Sequence, residues 1–314
     1  MFEKIISEIE AAKRIIIHRH SNPDGDALGS QTGLKLLLIE NYPDKEILAV
    51  GDGSLRYGFI KGSEADTVPD EAYADALAII LDTSASALIS DDRYKTAART
   101  ARIDHHIFCE KIADVEVTDT SFESCAGLIA ALSREAGWKL PSLAAKALYT
   151  GMVTDSGRFR YDSTTKETFE RAAYLMSVPF DTGDIYSNLY ADDFEFIRLR
   201  AQFVLKIKFT EKRVAYIYTD EEEMKGIAAD TFTVSRGMVN TMGEIRGTSV
   251  WVNFTEQDGK VLAELRSNKY NINKIAVKYG GGGHLKASGA TLSSREEAMA
   301  MLADLDALVG GENA

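Results

Sequence analysis

Three consecutive isoleucines, Ile15-Ile16-Ile17, stand between polar residues and predict a short strand buried on both faces. Ser21-Asn22-Pro23 is a turn signal, and the apolar spacing from about residue 27 to 38 predicts an amphipathic helix. Further strands are predicted over 45–50, 77–81 and 99–103, with 51–70 irregular. Helical periodicity returns over 123–135, 143–154 and 164–176, with Thr120, Ser121 and Ser124 as candidate caps for the first. Strand and helix alternate, so an α/β domain is expected, built on a mostly parallel sheet with helices on both faces.

Beyond residue 186 the texture changes. Residues 187–199 are charged and helical and read as a connector. Residues 204–209, 214–218, 249–255 and 261–266 alternate like strands of a smaller sheet, while 231–240 and 272–279 supply helices. Thr219-Asp-Glu-Glu-Glu223 is a charge run suited to a solvated turn or helix start, and the tail 310–314 is expected to be disordered. The expected domains are 1–186 and a smaller α/β unit over 200–314, joined by 187–199.

Charge narrows the partners. Lys plus Arg total 36 against 48 for Asp plus Glu, a net charge of −12. That balance argues against a long duplex nucleic-acid partner, which needs a basic footprint, but is compatible with a small basic pocket for a short phosphorylated ligand. No apolar run approaches the roughly 18 residues that span a bilayer, so no membrane partner is expected. The first residues read as an ordinary amphipathic helix rather than a secretory signal. Cys109 and Cys125 make no disulfide framework and are expected to be reduced thiols in a cytoplasmic protein.

The first strand runs into a loop carrying His20, Asp24 and Asp26. One imidazole and two carboxylates on a tight turn suit a divalent cation, and the same aspartates would equally serve as an Asx turn and helix cap. Strand 77–81 ends in Asp82, and strand 99–103 in Asp104-His105-His106. Helix 143–154 is followed by Asp155, where a carboxylate is electrostatically unfavourable unless a cation offsets it. His18 shares a strand face with His20 but sits at the wrong spacing for the motif, and is expected to be a packed histidine or one that supports the ligands from behind. In the second half, Gly280–Gly283 followed by His284 is either a hinge or, with the small-residue turn after it, a nest of backbone N–H groups for an anion. Arg266 ends a strand and could grip a phosphate in bidentate fashion. Arg158 and Arg160 follow Asp155 as weaker candidates, and Arg236 is weaker still and reads equally well as a surface residue.

Taken together, His20-x3-Asp24-x-Asp26, Asp82, Asp104-His105-His106 and Asp155, followed by Gly280-Gly-Gly-Gly-His284 and Ala287-Ser-Gly289, resemble the DHH phosphoesterase superfamily with its DHH-associated C-terminal domain. Within it the chain is similar to the NrnA-like nano-RNase type, which acts as oligoribonuclease and pAp phosphatase. The resemblance implies two domains facing each other across a cleft and two Mn²⁺ ions, with Mg²⁺ as a possible substitute. One ion would be held by His20, Asp24 and Asp82, the other by Asp26, Asp82, His105 and Asp155, with Asp82 bridging. His106 would face the substrate phosphate and Asp104 would orient its histidine neighbours. Arg266, His284 and the loop of Gly281, Gly282 and Gly283 would bind substrate; Arg158 is added as a contact from its place after Asp155, not from the resemblance.

The physics of such a site is independent of the resemblance. Two cations about 3.5–4 Å apart lower the pKa of a shared water and neutralise the phosphate oxygens. Two imidazoles tilt the metal preference from Mg²⁺ toward Mn²⁺, and the lack of thiolates argues against structural zinc. Expected substrates are dinucleotides such as pApA, other short RNA, and 3′-phosphoadenosine 5′-phosphate (pAp), giving nucleoside monophosphates. A homodimer is compatible with the sequence. Rival readings are a family II inorganic pyrophosphatase, whose C-terminal lysine- and arginine-rich motif is missing, a RecJ-type exonuclease, which is usually much longer, and a non-catalytic nucleotide sensor, which would lose metal ligands.

Overall fold

The computed structural model describes residues 1–311. The chain divides into two compact units, Met1–Ala191 and Asp192–Ala314. In the first unit the elements run α1 (Glu3–Ala11), β1 (Arg14–His18), α2 (Gly25–Asn41), β2 (Glu46–Ala49), β3 (Ala76–Leu81), β4 (Arg99–Asp104), β5 (Val115–Thr118), α3 (Cys125–Glu135), α4 (Ser142–Asp155), α5 (Lys166–Leu175) and α6 (Thr182–Tyr190).

The five strands form a parallel sheet in the order β2-β1-β3-β4-β5. Residues alternate between its faces, and both faces are covered, but unequally. On one side Ile15, Ile17, Leu77, Ile79, Leu81, Ala101 and Ile103 pack with apolar residues of α1, α2, α3 and α4. On the other, Ile16, Ala78 and Ile80 lie under short 3₁₀ turns at Asp70–Asp75 and Asp92–Thr96 and their neighbouring loops. No sequence pattern had marked β5, whose four residues are all half-buried.

Helix α2 departs from the amphipathic expectation. It is buried on every side from Gly25 to Leu34 because α4 lies against its outer face. Close approach is possible because the facing residues are small: a Cβ on Gly29 would sit 2.6 Å from the Ala147 carbonyl oxygen. Burial on all sides leaves no polar stripe to read, so the helical period fades there.

The second unit contains α7 (Phe194–Lys206), β6 (Lys208–Phe209), β7 (Ala215–Thr219), α8 (Glu221–Lys225), β8 (Val250–Gln257), β9 (Lys260–Ser267), α9 (Asn273–Lys278), β10 (Gly282–His284), β11 (Ala287–Leu292) and α10 (Arg295–Gly310). Its mixed sheet has the order β10-β11-β9-β8-β7-β6, in which only β7 and β8 pair in parallel. Helix α10 packs Met301, Leu302 and Leu305 on one face; Phe203, Val234, Met238 and Met242 cover the other.

Three sequence expectations change here. The stretch 187–199 is not one connector: α6 ends at Tyr190 and α7 begins at Phe194. The strand expected over 204–209 shrinks to β6, because 194–206 continues as helix to bury Phe203. The helix expected over 231–240 is present but widens into a π-turn at Thr233–Gly237. The charge run after Thr219 forms α8, capped by Asp220. Of the tail expected to be disordered, Gly310 ends α10 and Gly311 adopts the left-handed cap, while 312–314 lie outside the described residues. Among the described residues no helix is long and apolar enough to cross a membrane.

Candidate functional site

The carboxyl ends of β1, β3 and β4 and the C-terminus of α4 deliver the acids and histidines to one place, where open parallel sheets carry their sites. Asp82, His105 and His106 form one donor group, and two more are His20 with Asp24 and Asp82, and His105 with Asp26 and Asp155. Asp82 stands between the latter two. One of its oxygens is 3.6 Å from His20 Nε2 and the other 3.4 Å from His105 Nε2. Its backbone is held in the left-handed region at φ 53°, which an aspartate tolerates better than bulkier residues.

Each imidazole is fixed through its other nitrogen. His20 Nδ1 lies 2.8 Å from the Ser21 carbonyl oxygen and His105 Nδ1 3.3 Å from that of Phe122, so both rings turn Nε2 toward the carboxylates. His105 Nε2 is 3.4 Å from Asp155 and 3.7 Å from Asp26. Such backbone bonds set the tautomer that a metal-binding histidine requires.

Asp24 and Asp26 divide the two roles left open for them. Asp24 caps α2, its Oδ1 accepting from the Asp26 and Ala27 backbone N–H groups. Asp26 is fully buried and accepts from the N–H groups of Cys125 and Ala126 at 2.7 and 2.9 Å. The start of α3 thus braces Asp26, a contact 99 residues away that no local pattern reveals. Ser124, one of the candidate caps, closes that helix end. Gly151 on α4 leaves the space: a Cβ there would lie 2.8 Å from Asp26 Oδ1.

Charge crowding is uneven. Burial, then Asp82 and Asp155, push the Asp26 carboxyl well above the carboxylate range. Burial lifts Asp155 to about 6, with His105 opposing and Asp82 and Asp24 adding. Burial would also raise Asp82, but His105 and His20 hold it far below its ordinary value. Burial would lower His20 and His105, yet the adjacent carboxylates, Asp24 and Asp82 for His20 and Asp82 for His105, take each to about 10. Asp82 Oδ1 remains buried without a hydrogen-bond partner among the described residues. An orphaned carboxylate oxygen, two raised acids and two imidazoles turned toward them form a donor set that fits divalent cations.

Asp104, the last residue of β4, is buried and accepts from His106, whose Nδ1 is 2.8 Å from its Oδ1. It orients this histidine alone, because His105 is held by Phe122. His18 packs between Tyr73 and Tyr94 with no hydrogen-bond partner for either ring nitrogen among the described residues, and burial lowers it to about 4, so it is neutral and outside the donor set. Asp155 is the final residue of α4 rather than the first beyond it. Gly157, Arg158 and Phe159 then take left-handed backbone at φ 57°, 67° and 61°, which sets the Arg158 guanidinium 4.6 Å from the centre of the Tyr190 ring.

The other candidates gather in the second unit, around a concavity of about 910 Å³. Arg266, His284 and Gly281, Gly282 and Gly283 line it, together with Arg236, Phe232 and Glu264. Part of the glycine run is already engaged in the fold. The Gly280 and Gly281 N–H groups donate to the carbonyls of Val277 and Ala276, closing α9, and Gly282–His284 pairs with β11. Arg236, the weakest of the sequence candidates and equally readable as a surface residue, lines this pocket.

Residues 14–152 match the DHH family, N-terminal domain, and residues 211–311 the DHHA1 domain. The chain is 36% identical to the bifunctional oligoribonuclease and PAP phosphatase NrnA of Bacillus subtilis, over 98% of each chain. It is 33% identical to the probable enzyme of the same description in Streptococcus mutans, over 94% of this chain and 95% of that one. Among solved structures, an exopolyphosphatase-related protein from Bacteroides fragilis matches with a TM-score of 0.85 at 27% identity, covering 98% of this chain and 97% of that one. With its parallel sheet, its converging acids and histidines and these relatives, the chain belongs to the DHH family, carries a DHHA1 domain, and is a hydrolase of phosphoester bonds.

Proposed function

We propose that the enzyme hydrolyses short oligoribonucleotides such as pApA, and 3′-phosphoadenosine 5′-phosphate, to nucleoside monophosphates, using two Mn²⁺ ions that Mg²⁺ can replace. The observation that carries this reading is Asp82, one oxygen toward each of two donor groups. His20, Asp24 and Asp82 would hold one ion, and Asp26, Asp82, His105 and Asp155 the other. The cations, when bound, supply an activated water and neutralise non-bridging phosphate oxygens. His106, half-exposed and tethered by Asp104, would donate to the substrate phosphate. Arg266, His284, the Gly281–Gly283 segment and Arg158 are assigned to holding the nucleotide. The substrate class is supported by the two relatives, which are described as oligoribonuclease and PAP phosphatase.

The test is turnover of pApA, pAp and pyrophosphate side by side in Mn²⁺, Mg²⁺ and Ca²⁺. Both nucleotides should be hydrolysed, faster in Mn²⁺ than in Mg²⁺, and Ca²⁺ should be inactive because it is large and acidifies water poorly. Preference for pyrophosphate would replace this reading with that of a pyrophosphatase.

A further inference from the structure

The pocket of the second unit joins two guanidiniums through one carboxylate. Glu264 precedes Arg266 by two residues on β9, so the two share a face of the sheet. Its Oε2 accepts from Arg266 Nη1 at 3.2 Å and its Oε1 from Arg236 Nε at 2.9 Å. Arg236 arrives from another element, the π-turn at Thr233–Gly237. That turn is tied to the same ladder. Asn253, paired with Glu264 across β8 and β9, is buried and donates Nδ2 to the carbonyls of Val234 and Ser235 at 2.7 and 2.9 Å. π-turns within helices recur at functional sites. On its other side Glu264 faces Gly289 of β11, which leaves room for the carboxylate.

Exposure rises from Glu264 at 12% through Arg266 at 21% to Arg236 at 60%. The carboxylate engages one N–H-bearing nitrogen of each arginine. Both Nη atoms of Arg236, and Nε and Nη2 of Arg266, have no hydrogen-bond partner among the described residues. We propose that Glu264 is a positioning residue that holds Arg236 and Arg266 together as one two-arginine site for a phosphate group of the substrate. This rests on the assignment of the pocket to nucleotide binding.

Two effects compete. A carboxylate repels an anion about 6 Å away by a factor of about three in water. Ordering a free arginine weakens binding roughly two- to tenfold for each side chain. Two arginines are involved, so pre-ordering outweighs repulsion.

Glu264→Gln keeps the size but removes the charge and one acceptor. In the full-length Mn²⁺ enzyme it should raise KM for pApA about five- to tenfold, with kcat within twofold. Arg236→Lys keeps a charge at an exposed position but cannot offer Nε, and should raise KM similarly. The double variant should be little worse than either single change, because both remove one device. A lower KM in Glu264→Gln, an equal fall in kcat, or multiplied effects in the double variant would overturn the positioning role. If Glu264→Gln fails to fold, Arg236→Lys decides, and an unchanged KM overturns the proposal. Arg266→Ala separates the two levels. An unchanged KM there removes nucleotide binding from this pocket altogether, whereas a raised KM with none in Glu264→Gln sinks only the role of Glu264.

Discussion

Asp104 Oδ1 lies 2.8 Å from His106 Nδ1, inside a strand end where Asp104 itself is fully buried. Hydrogen bonding to Asp104 is the largest influence raising the His106 pKa, with burial opposing it. The pair therefore favours an imidazolium whose outer nitrogen can donate to phosphate. Asp104→Asn removes that bias and should lower kcat/KM for pApA by roughly 10- to 100-fold. It should also move the alkaline limb of the pH–rate profile to lower pH. An unmoved limb would take His106 out of the titrating role.

Asp82 and Asp155 should respond oppositely in the metal-free protein. Two histidines hold Asp82 ionised, so Asp82→Asn should cost about 1–3 kcal/mol by leaving buried partners unpaired. Its left-handed backbone suits asparagine, so the cost is not steric. Asp155 is lifted to about 6, so at pH 8 it is ionised at a cost to the metal-free fold. Asp155→Asn should therefore raise the metal-free Tm. Both should lower Mn²⁺-supported turnover by roughly 100-fold or more. Calorimetry without metal, paired with turnover, separates the two outcomes.

Metal-free stability should fall as pH rises. The folded-state pKa values of His20 and His105 are raised from 6.5 to about 10, so their contribution is fully present below 6.5 and lost by about 10. Asp155, raised from 3.8 to about 6, changes in the same direction at lower pH. Cation binding requires unprotonated imidazoles, so stabilisation by Mn²⁺ should grow over the 6.5–10 window. Thermal melts with and without Mn²⁺ at pH 6.5, 8 and 9.5 should show a widening gap. A constant gap would mean that the histidines release no protons on metal binding.

Packing between helices should govern metal affinity. A Cβ on Gly151 would meet Ala126 Cβ at 2.6 Å and Asp26 Oδ1 at 2.8 Å. Gly151→Ala should cost about 1–3 kcal/mol through overpacking and weaken Mn²⁺ binding roughly tenfold by displacing Asp26. Gly33→Ala meets the Leu148 side chain instead, and should destabilise without changing metal affinity. Titration calorimetry on both variants provides the comparison.

The sequence by itself determined the strand ends. Ile15–Ile17 and the run before Asp82 are apolar because a parallel sheet covered on both faces needs them so, and each stops where polar residues begin, whereas the strand before Asp104 carries Arg99 and Arg102 and is marked by its end at Asp104-His105-His106. Strand and helix alternation determined the parallel sheet, and the ordered acids and histidines marked the family. Tertiary structure decided what depends on distant partners. The start of α3 braces Asp26, Gly151 clears its space, and Phe122 rather than Asp104 holds His105. Helix α2 lost its amphipathic pattern to α4, and 204–206 became helix because Phe203 had a core to enter. In the second unit, Glu264 joined Arg266 to Arg236, which the sequence alone leaves open between a binding residue and a surface one. Local pattern reports on neighbours within a turn or a strand, whereas these contacts join residues 17 to 125 positions apart, whose free energy exists only once the chain has folded.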